Sequence, residues 1–144
     1  MASTTTTTTT TKSGEPERAL PNFYQMPGSA TVFLEEAKVD VHAITIINTF
    51  VLKSSNEAEL FLENWQRDSD FMRKQYGMLS TQLHRALGEA SNMFVNVTQW
   101  ESTKAFREAF HNPEFQMHLK NFPAGTHVYP VLLKKIAMPN ACTA

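Results

Sequence analysis

The stretch Met93-Phe94-Val95-Asn96-Val97-Thr98-Gln99-Trp100-Glu101-Ser102 decides how the rest of the chain is read. Successive side chains of a strand point to opposite faces. Phe94, Asn96, Thr98 and Trp100 therefore share one face, and Val95, Val97 and Gln99 the other. A carboxamide and an indole four residues apart on one strand face can aim hydrogen-bond donors into one cavity.

Working outward, Ser102 is placed to cap a helix whose Ala105, Phe106, Ala109 and Phe110 form a compact apolar face. Asn112-Pro113 interrupts it and starts a further turn, with Phe115, His118, Leu119 and Phe122 on one stripe. Pro123 to Gly125 ends that segment, and Thr126 to Ile136 reads as a last strand. On the other side, Gly88 to Asn92 reads as a hairpin loop preceded by a strand from Leu79 to Leu87. Asn56 with Glu59 predicts an N-cap and capping box for a helix running to about Tyr76, with Gly77 as its left-handed C-cap. At about 100° per residue, Ala58, Phe61, Leu62, Trp65, Ser69, Met72 and Tyr76 fall on one stripe; Glu63, Arg67, Asp70 and Lys74 lie opposite. Ala43 to Leu52, rich in β-branched residues, is the first strand, with Ile44, Ile46, Asn48, Phe50 and Leu52 on one face.

The order strand, helix, strand, strand, helix, strand is the split βαβ plan of an α+β, ferredoxin-like fold. Four antiparallel strands would carry both helices on one face. The other face, bearing Val95 and Val97, would be left apolar and open, which predicts a homodimer packed sheet to sheet.

The chain of 144 residues suits one folded domain over residues 43–136. Residues 1–28, with threonine from Thr4 to Thr11, read as a disordered tail, residues 29–42 as an extension packing on the domain, and residues 137–144 as a C-terminal tail. With 13 basic and 14 acidic residues there is no electrostatic footprint for nucleic acid or an anionic membrane. The longest mostly apolar run is too short to span a bilayer. A single cysteine, Cys142, excludes an intramolecular disulfide and a cysteine-based metal cluster, and a cytoplasmic location is the expectation. No Gly-rich phosphate loop, nucleophile elbow or metal-ligand spacing of histidines is present, so no metal site is expected.

Ile46-Ile-Asn-Thr-Phe-Val51, Tyr76-Gly77, Leu83-His-Arg-Ala-Leu87, Phe94 to Ser102 and Phe110-His-Asn-Pro-Glu-Phe115 together resemble the antibiotic biosynthesis monooxygenase family of dimeric α+β barrels. The order and spacing of these motifs carry the resemblance. It implies a cofactor-independent oxygenase that uses O2 to turn a phenol, anthrone or hydroquinone into a quinone. It further implies a pocket between sheet and helices lined by Asn48, Asn96 and Trp100, with His84 or Arg85 of the second strand nearby. Some members carry a tyrosine six residues after the tryptophan; here that position is Phe106.

These residue types suit that chemistry. An electron-rich phenolate can pass an electron to O2 if the reduced oxygen species is stabilised, and neutral indole and carboxamide N–H groups do this best in a dry cavity. The roles expected are Asn96 and Trp100 as donors to oxygen, Asn48 as substrate orienter and His84 as base or acid. Arg85, Phe50, Phe94, Trp65 and Phe106 would surround the substrate. Taken singly, Trp100 reads as a core residue and His84 as a surface one; the buried asparagines are harder to explain structurally, since an unsatisfied buried amide costs about 1–3 kcal/mol. Two other readings stand beside this one. The first is a haem-binding or haem-degrading oxygenase with His118 as iron ligand, one residue away from the aligned position. The second is a dimeric barrel that only binds a small molecule.

Overall fold

The computed structural model describes residue 14, residues 17–29 and residues 31–144. In chain order these form β1 (Arg18–Ala19), β2 (Asn22–Phe23), α1 (Phe33–Glu36), β3 (His42–Val51), α2 (Ala58–Met72), β4 (Met78–Arg85), β5 (Met93–Ser102), α3 (Thr103–Phe110), α4 (Pro113–His118), β6 (Phe122–Pro123) and β7 (His127–Lys134). The main sheet runs β2-β7-β3-β5-β4. Without β2, its strands are antiparallel in the order last, first, third, second, and the fold is the ferredoxin-like one read from the sequence.

The opening stretch is β5, and its burial alternates as expected: Phe94, Asn96, Thr98 and Trp100 are buried, and their neighbours are less so. Its register on β3 sets Phe50 opposite Phe94, Asn48 opposite Asn96 and Ile44 opposite Trp100. All of these lie on the side covered by helices. Ser102 caps α3 by accepting from the Ala105 N–H, and Asn112 caps α4 by accepting from Glu114, with Pro113 in the first turn.

Four features depart from the sequence reading. The cap before α2 is Ser54, which accepts from the Asn56 N–H, so Asn56 is a donor within a 3-10 turn over Ser55–Glu57. The helix stops at Met72, and its last turn tightens into shorter-range bonds such as Lys74 N–H to Phe71 O. β4 carries a bulge between Met78 and Ser80, so Met78 and Thr81, three residues apart, both face the helices. Finally, the chain from Glu17 onward, expected to be tail, is tied to the domain; residues 1–13, 15 and 16 of that expected tail lie outside the described residues.

The tie is made of backbone. β1 pairs with β6, β2 adds to the sheet edge parallel to β7, and Asn22 and Tyr24 N–H donate to Thr126 and Val128 carbonyls at 2.8 Å each. Further along, Arg107 donates to the Ala37 carbonyl and Thr103 to that of Val39, fastening α1 and its exit to α3.

Two buried clusters result. One gathers Phe50, Phe61, Phe94, Phe115, Phe122 and neighbours; the other gathers Phe33, Ile44, Ile46, Trp100, Phe106 and neighbours. The opposite sheet face leaves Ile47, Val95, Val97 and Val131 only partly covered and Leu133 exposed.

Gly77 marks a close approach between layers. Its φ is +81°, and a Cβ there would stand 2.5 Å from the Ala105 Cβ. Both the left-handed backbone and the overlap oppose any side chain, so Gly77→Ala is expected to cost about 2–4 kcal/mol, combining the left-handed penalty and overpacking. Equilibrium urea unfolding measures it.

Candidate active site

Between the two apolar clusters lies a cavity whose lining comes from both. The floor is the sheet, where a polar row crosses three strands: Thr81 on β4, Asn96 and Thr98 on β5, and Asn48 on β3. Directly paired residues of adjacent strands hold their Cβ atoms about 5 Å apart, so the Asn48 and Asn96 amides are neighbours. The Thr81 hydroxyl donates to Asn96 Oδ1 at 3.0 Å. With its oxygen occupied, Asn96 is left with Nδ2 as a donor that serves no other protein group among the described residues. Asn48 likewise makes no side-chain hydrogen bond among them.

Trp100 closes one end of the row, 2% exposed, with its ring edge-on to Phe106 at 5.7 Å. Its indole Nε1–H donates to the Thr98 hydroxyl at 3.2 Å. The hydroxyl that accepts from the indole keeps its own O–H to offer to the cavity. Trp100 and Thr98 therefore form one donor unit rather than an isolated indole.

The roof is α2 with Trp65, Asp68, Ser69 and Met72, joined by Phe106 and Phe110 of α3 and Phe115 of α4. The N-terminal segment completes it with Pro21, Phe23 and Phe33, the two phenyl rings stacked at 5.5 Å and Phe33 edge-on to Phe110 at 5.3 Å. A water molecule's centre can move through about 80 Å³ of this space. A cavity needs roughly 10–15 Å³ of such space to admit one water, so this one has room for several.

Asp68 is the only ionisable group lining the cavity among the described residues. Burial pushes its carboxyl from 3.8 up to about 7, against the opposing pull of the Arg67 guanidinium. Its Oδ1 comes within 3.3 Å of His118 Nδ1, but the two are not aligned as a hydrogen bond and neither atom has another partner among the described residues.

Of the residues expected from sequence, Asn48, Asn96, Trp100, Phe50, Trp65 and Phe106 meet at this cavity. Phe94 lies beside it in the core against Phe61, with ring centroids 4.6 Å apart. Arg85 is exposed, holds the Ser91 carbonyl and lays its guanidinium over the Phe94 ring at 5.2 Å. His84 is also exposed, its Nδ1 3.3 Å from the Val95 carbonyl. It stands on the other side of the sheet because the bulge after Met78 resets the alternation along β4, so that Thr81 and Leu83 face inward.

Thr98 and Ser69 share the faces read from the sequence but carried no role there, whereas nothing in the sequence marked Asp68, Thr81 or the N-terminal aromatics. Asp68 sits three residues after Trp65, on the buried side of α2, but a stripe drawn through apolar residues passes it by. The same holds for Asn64, buried while its Nδ2 donates to the Leu60 carbonyl at 2.9 Å.

Residues 43–121 match the family model described as antibiotic biosynthesis monooxygenase. The chain belongs to this family. Among solved structures, a candidate monooxygenase of Shewanella loihica PV-4 is 32% identical over 67% of this chain and 97% of its own, with a TM-score of 0.56. SnoaB, a cofactor-independent oxygenase of Streptomyces nogalater, shares the fold at 24% identity over 69% of this chain and 99% of its own, TM-score 0.60. A candidate antibiotic biosynthesis monooxygenase of Caulobacter crescentus CB15 also shares it, at 15% identity over 67% and 92%, TM-score 0.57. Comparison with curated proteins finds no match. Pro21, Phe23 and Phe33 precede the residues matched to the antibiotic biosynthesis monooxygenase model, so part of this cavity's wall is supplied from outside the matched region.

The raised Asp68 carboxyl has a stability consequence whose sign is fixed. The folded chain holds this proton more tightly than the unfolded chain, so the associated stability is fully present below about pH 4 and is lost as pH rises through about 7. Each unit of the difference is worth about 1.4 kcal/mol. Asp68→Asn is therefore expected to unfold at a higher temperature than the parent protein at pH 8, with the gain vanishing near pH 4. Calorimetry at the two pH values checks both halves.

Proposed function

We propose that this family member is a cofactor-independent monooxygenase, using O2 to convert a phenolic, anthrone or hydroquinone-type aromatic substrate into a quinone. The observation that carries the reading is the pair of cross-strand amides, Asn48 and Asn96, with unclaimed donors beside the Trp100–Thr98 unit in a cavity walled mainly by aromatic and other apolar side chains. Asn96 is buried, Asn48 beside it is partly buried, and among the described residues neither amide donates to a protein group; a substrate oxygen or a reduced oxygen species would take up both donors.

The overall balance needs no outside reductant. A phenol with a free ring C–H para to its hydroxyl reacts with one O2 to give the quinone and one water, and a hydroquinone with a free ring C–H gives the hydroxyquinone and one water: in each case the ring loses four electrons, one oxygen atom enters the ring and the other leaves as water. In this scheme the deprotonated substrate gives an electron to O2, and the Asn96 amide and Thr98 hydroxyl, the latter polarised by Trp100, donate to the negatively charged oxygen as it forms. Such preorganised donors gain strength where water is excluded. Asn48 orients the substrate oxygen, and Phe50, Trp65 and Phe106 hold the ring.

The partly covered apolar sheet face supports a homodimer packed sheet to sheet, with His84 at that face rather than at the cavity. The haem reading has less behind it. His118 is not among the residues lining the cavity, its Nδ1 is directed at Asp68, and the space is far smaller than a macrocycle.

Oxygen-electrode assays of the purified protein against hydroquinones and anthrones test the proposal. O2 uptake with quinone formation is expected, and Asn96→Ala or Trp100→Phe should lower kcat by about 10²–10³, the range for removal of one such donor. Unchanged quinone formation in both variants would sink the assigned roles. The Phe23 and Phe33 rings set a second expectation. Opening the wall with Phe23→Ala and Phe33→Ala should improve kcat/KM for anthrone relative to 1,4-benzenediol, and steady-state kinetics on the two substrates measures the ratio.

A further inference from the structure

The polar groups on the sheet side of the cavity are all neutral, yet the oxidation must begin with loss of a proton. Asn48, Asn96, Thr81 and Thr98 carry no charge that could take it up, and among the described residues α3 and the N-terminal segment contribute only Phe106, Phe110, Pro21, Phe23 and Phe33. Asp68 is the exception. It enters from α2, is 7% exposed, and keeps Oδ1 without a hydrogen-bond partner among the described residues.

Behind it lies a route out. His118 of α4 stands with Nδ1 at 3.3 Å from Asp68 Oδ1 and with 27% of its side chain exposed. It is edge-on to Phe71, with ring centroids 5.8 Å apart, and belongs to the wall of a second, outer cleft with Arg67, Asp70, Lys74 and Glu114. Asp68 thus touches the inner cavity, His118 touches the outer cleft, and the two touch each other.

We propose that Asp68 is the general base of the oxidation and that His118 relays the proton from it to the outer cleft. The inference rests on the monooxygenase reading above and names the base of that same site. An oxygen of the Asp68 carboxylate forms a bond to the phenolic hydrogen; the substrate O–H bond breaks and its electron pair stays on the substrate oxygen. The resulting carboxylic acid gives the proton to the His118 ring nitrogen, and the imidazolium releases it to water in the outer cleft, restoring the carboxylate. No electrons change hands until the phenolate meets O2.

Two properties suit the pair to the task. A base poised near neutrality exists in both protonation states under working conditions, which favours proton transfer in each direction. Burial of Asp68 sets that poise. The charged groups facing the pair are Arg67 from the same helix, and Asp70, Lys74 and Glu114 around the outer cleft, with Asp70 held by Arg73 and Arg67 by Glu63. They surround the exit rather than the cavity.

Two measurements on the full chain test this. The first is the pH profile of O2 uptake with 1,4-dihydroxynaphthalene. The expected result is that Asp68→Asn lowers kcat by about a hundredfold with KM changed less than about threefold, removes the inflection near neutral pH, and is partly restored by Asp68→Glu. His118→Ala should lower kcat less and regain it on addition of imidazole, which can enter the outer cleft. A profile that keeps its inflection in Asp68→Asn overturns the base, and no rescue by imidazole overturns the relay. The second measurement uses 4-nitrophenol, a coloured phenol that O2 does not oxidise. At equal occupancy near pH 7, the bound phenolate band should be strong in the parent protein and weak in Asp68→Asn. Identical spectra, or no binding, overturn the proposal. If the parent protein consumes no O2 but the band still depends on Asp68, the monooxygenase reading fails while the proton path stands.

Discussion

The register of β3 on β5 is the constraint on which the site depends. It sets Asn48 against Asn96 on the helix-covered face of the sheet, where a one-residue slip of either strand would send its amide to the opposite face. Flanking pairs hold that register: Phe50 with Phe94 on one side and Ile46 with Thr98, then Ile44 with Trp100, on the other. An apolar row interrupted by amides cannot close into a single core without stranding them. The structure instead has two apolar clusters with a cavity between them, and the Thr81 hydroxyl takes up one of the amide oxygens.

The helices and the N-terminal segment complete what the sheet begins. α2 delivers an acid to the cavity, aromatic rings to the first cluster and Met72 to both, and the turn that follows it closes on α3 through Gly77 against Ala105. β2 then borrows the free edge of β7, which carries Pro21 and Phe23 over the opening while α1 brings Phe33 onto Phe110. An unpaired strand edge invites such an addition, because its N–H and C=O groups are ready to bond. The cavity is accordingly narrow, and its size depends on a segment outside the residues that define the family.

The electrostatics follow from this burial. In a near-neutral chain, the acid that matters is the one that the fold removes from water. Asp68 is raised by desolvation more than its neighbour Arg67 lowers it, because Arg67 points to the outside of α2 and pairs there with Glu63. An identical carboxylate two residues later, Asp70, stays at the surface beside Arg73.

By itself, the sequence determined the elements and the faces of the strands. Alternation from Phe94 to Trp100 depends only on backbone geometry, and the caps at Ser102 and Asn112 depend only on bonds two or three residues away. The family resemblance then brought Asn48, Asn96 and Trp100 together, and they do share a cavity. Tertiary structure alone decided the rest. The β4 bulge, which turns His84 away, is settled by pairing with β5; the parallel addition of β2 needs the β7 edge, about a hundred residues away in the chain. Asp68 shows the limit most directly. A polar residue on a helix reads as solvent-facing until another element is packed over it, and only the packing of α2 against the sheet and α4 gives its carboxyl a cavity on one side and an imidazole on the other.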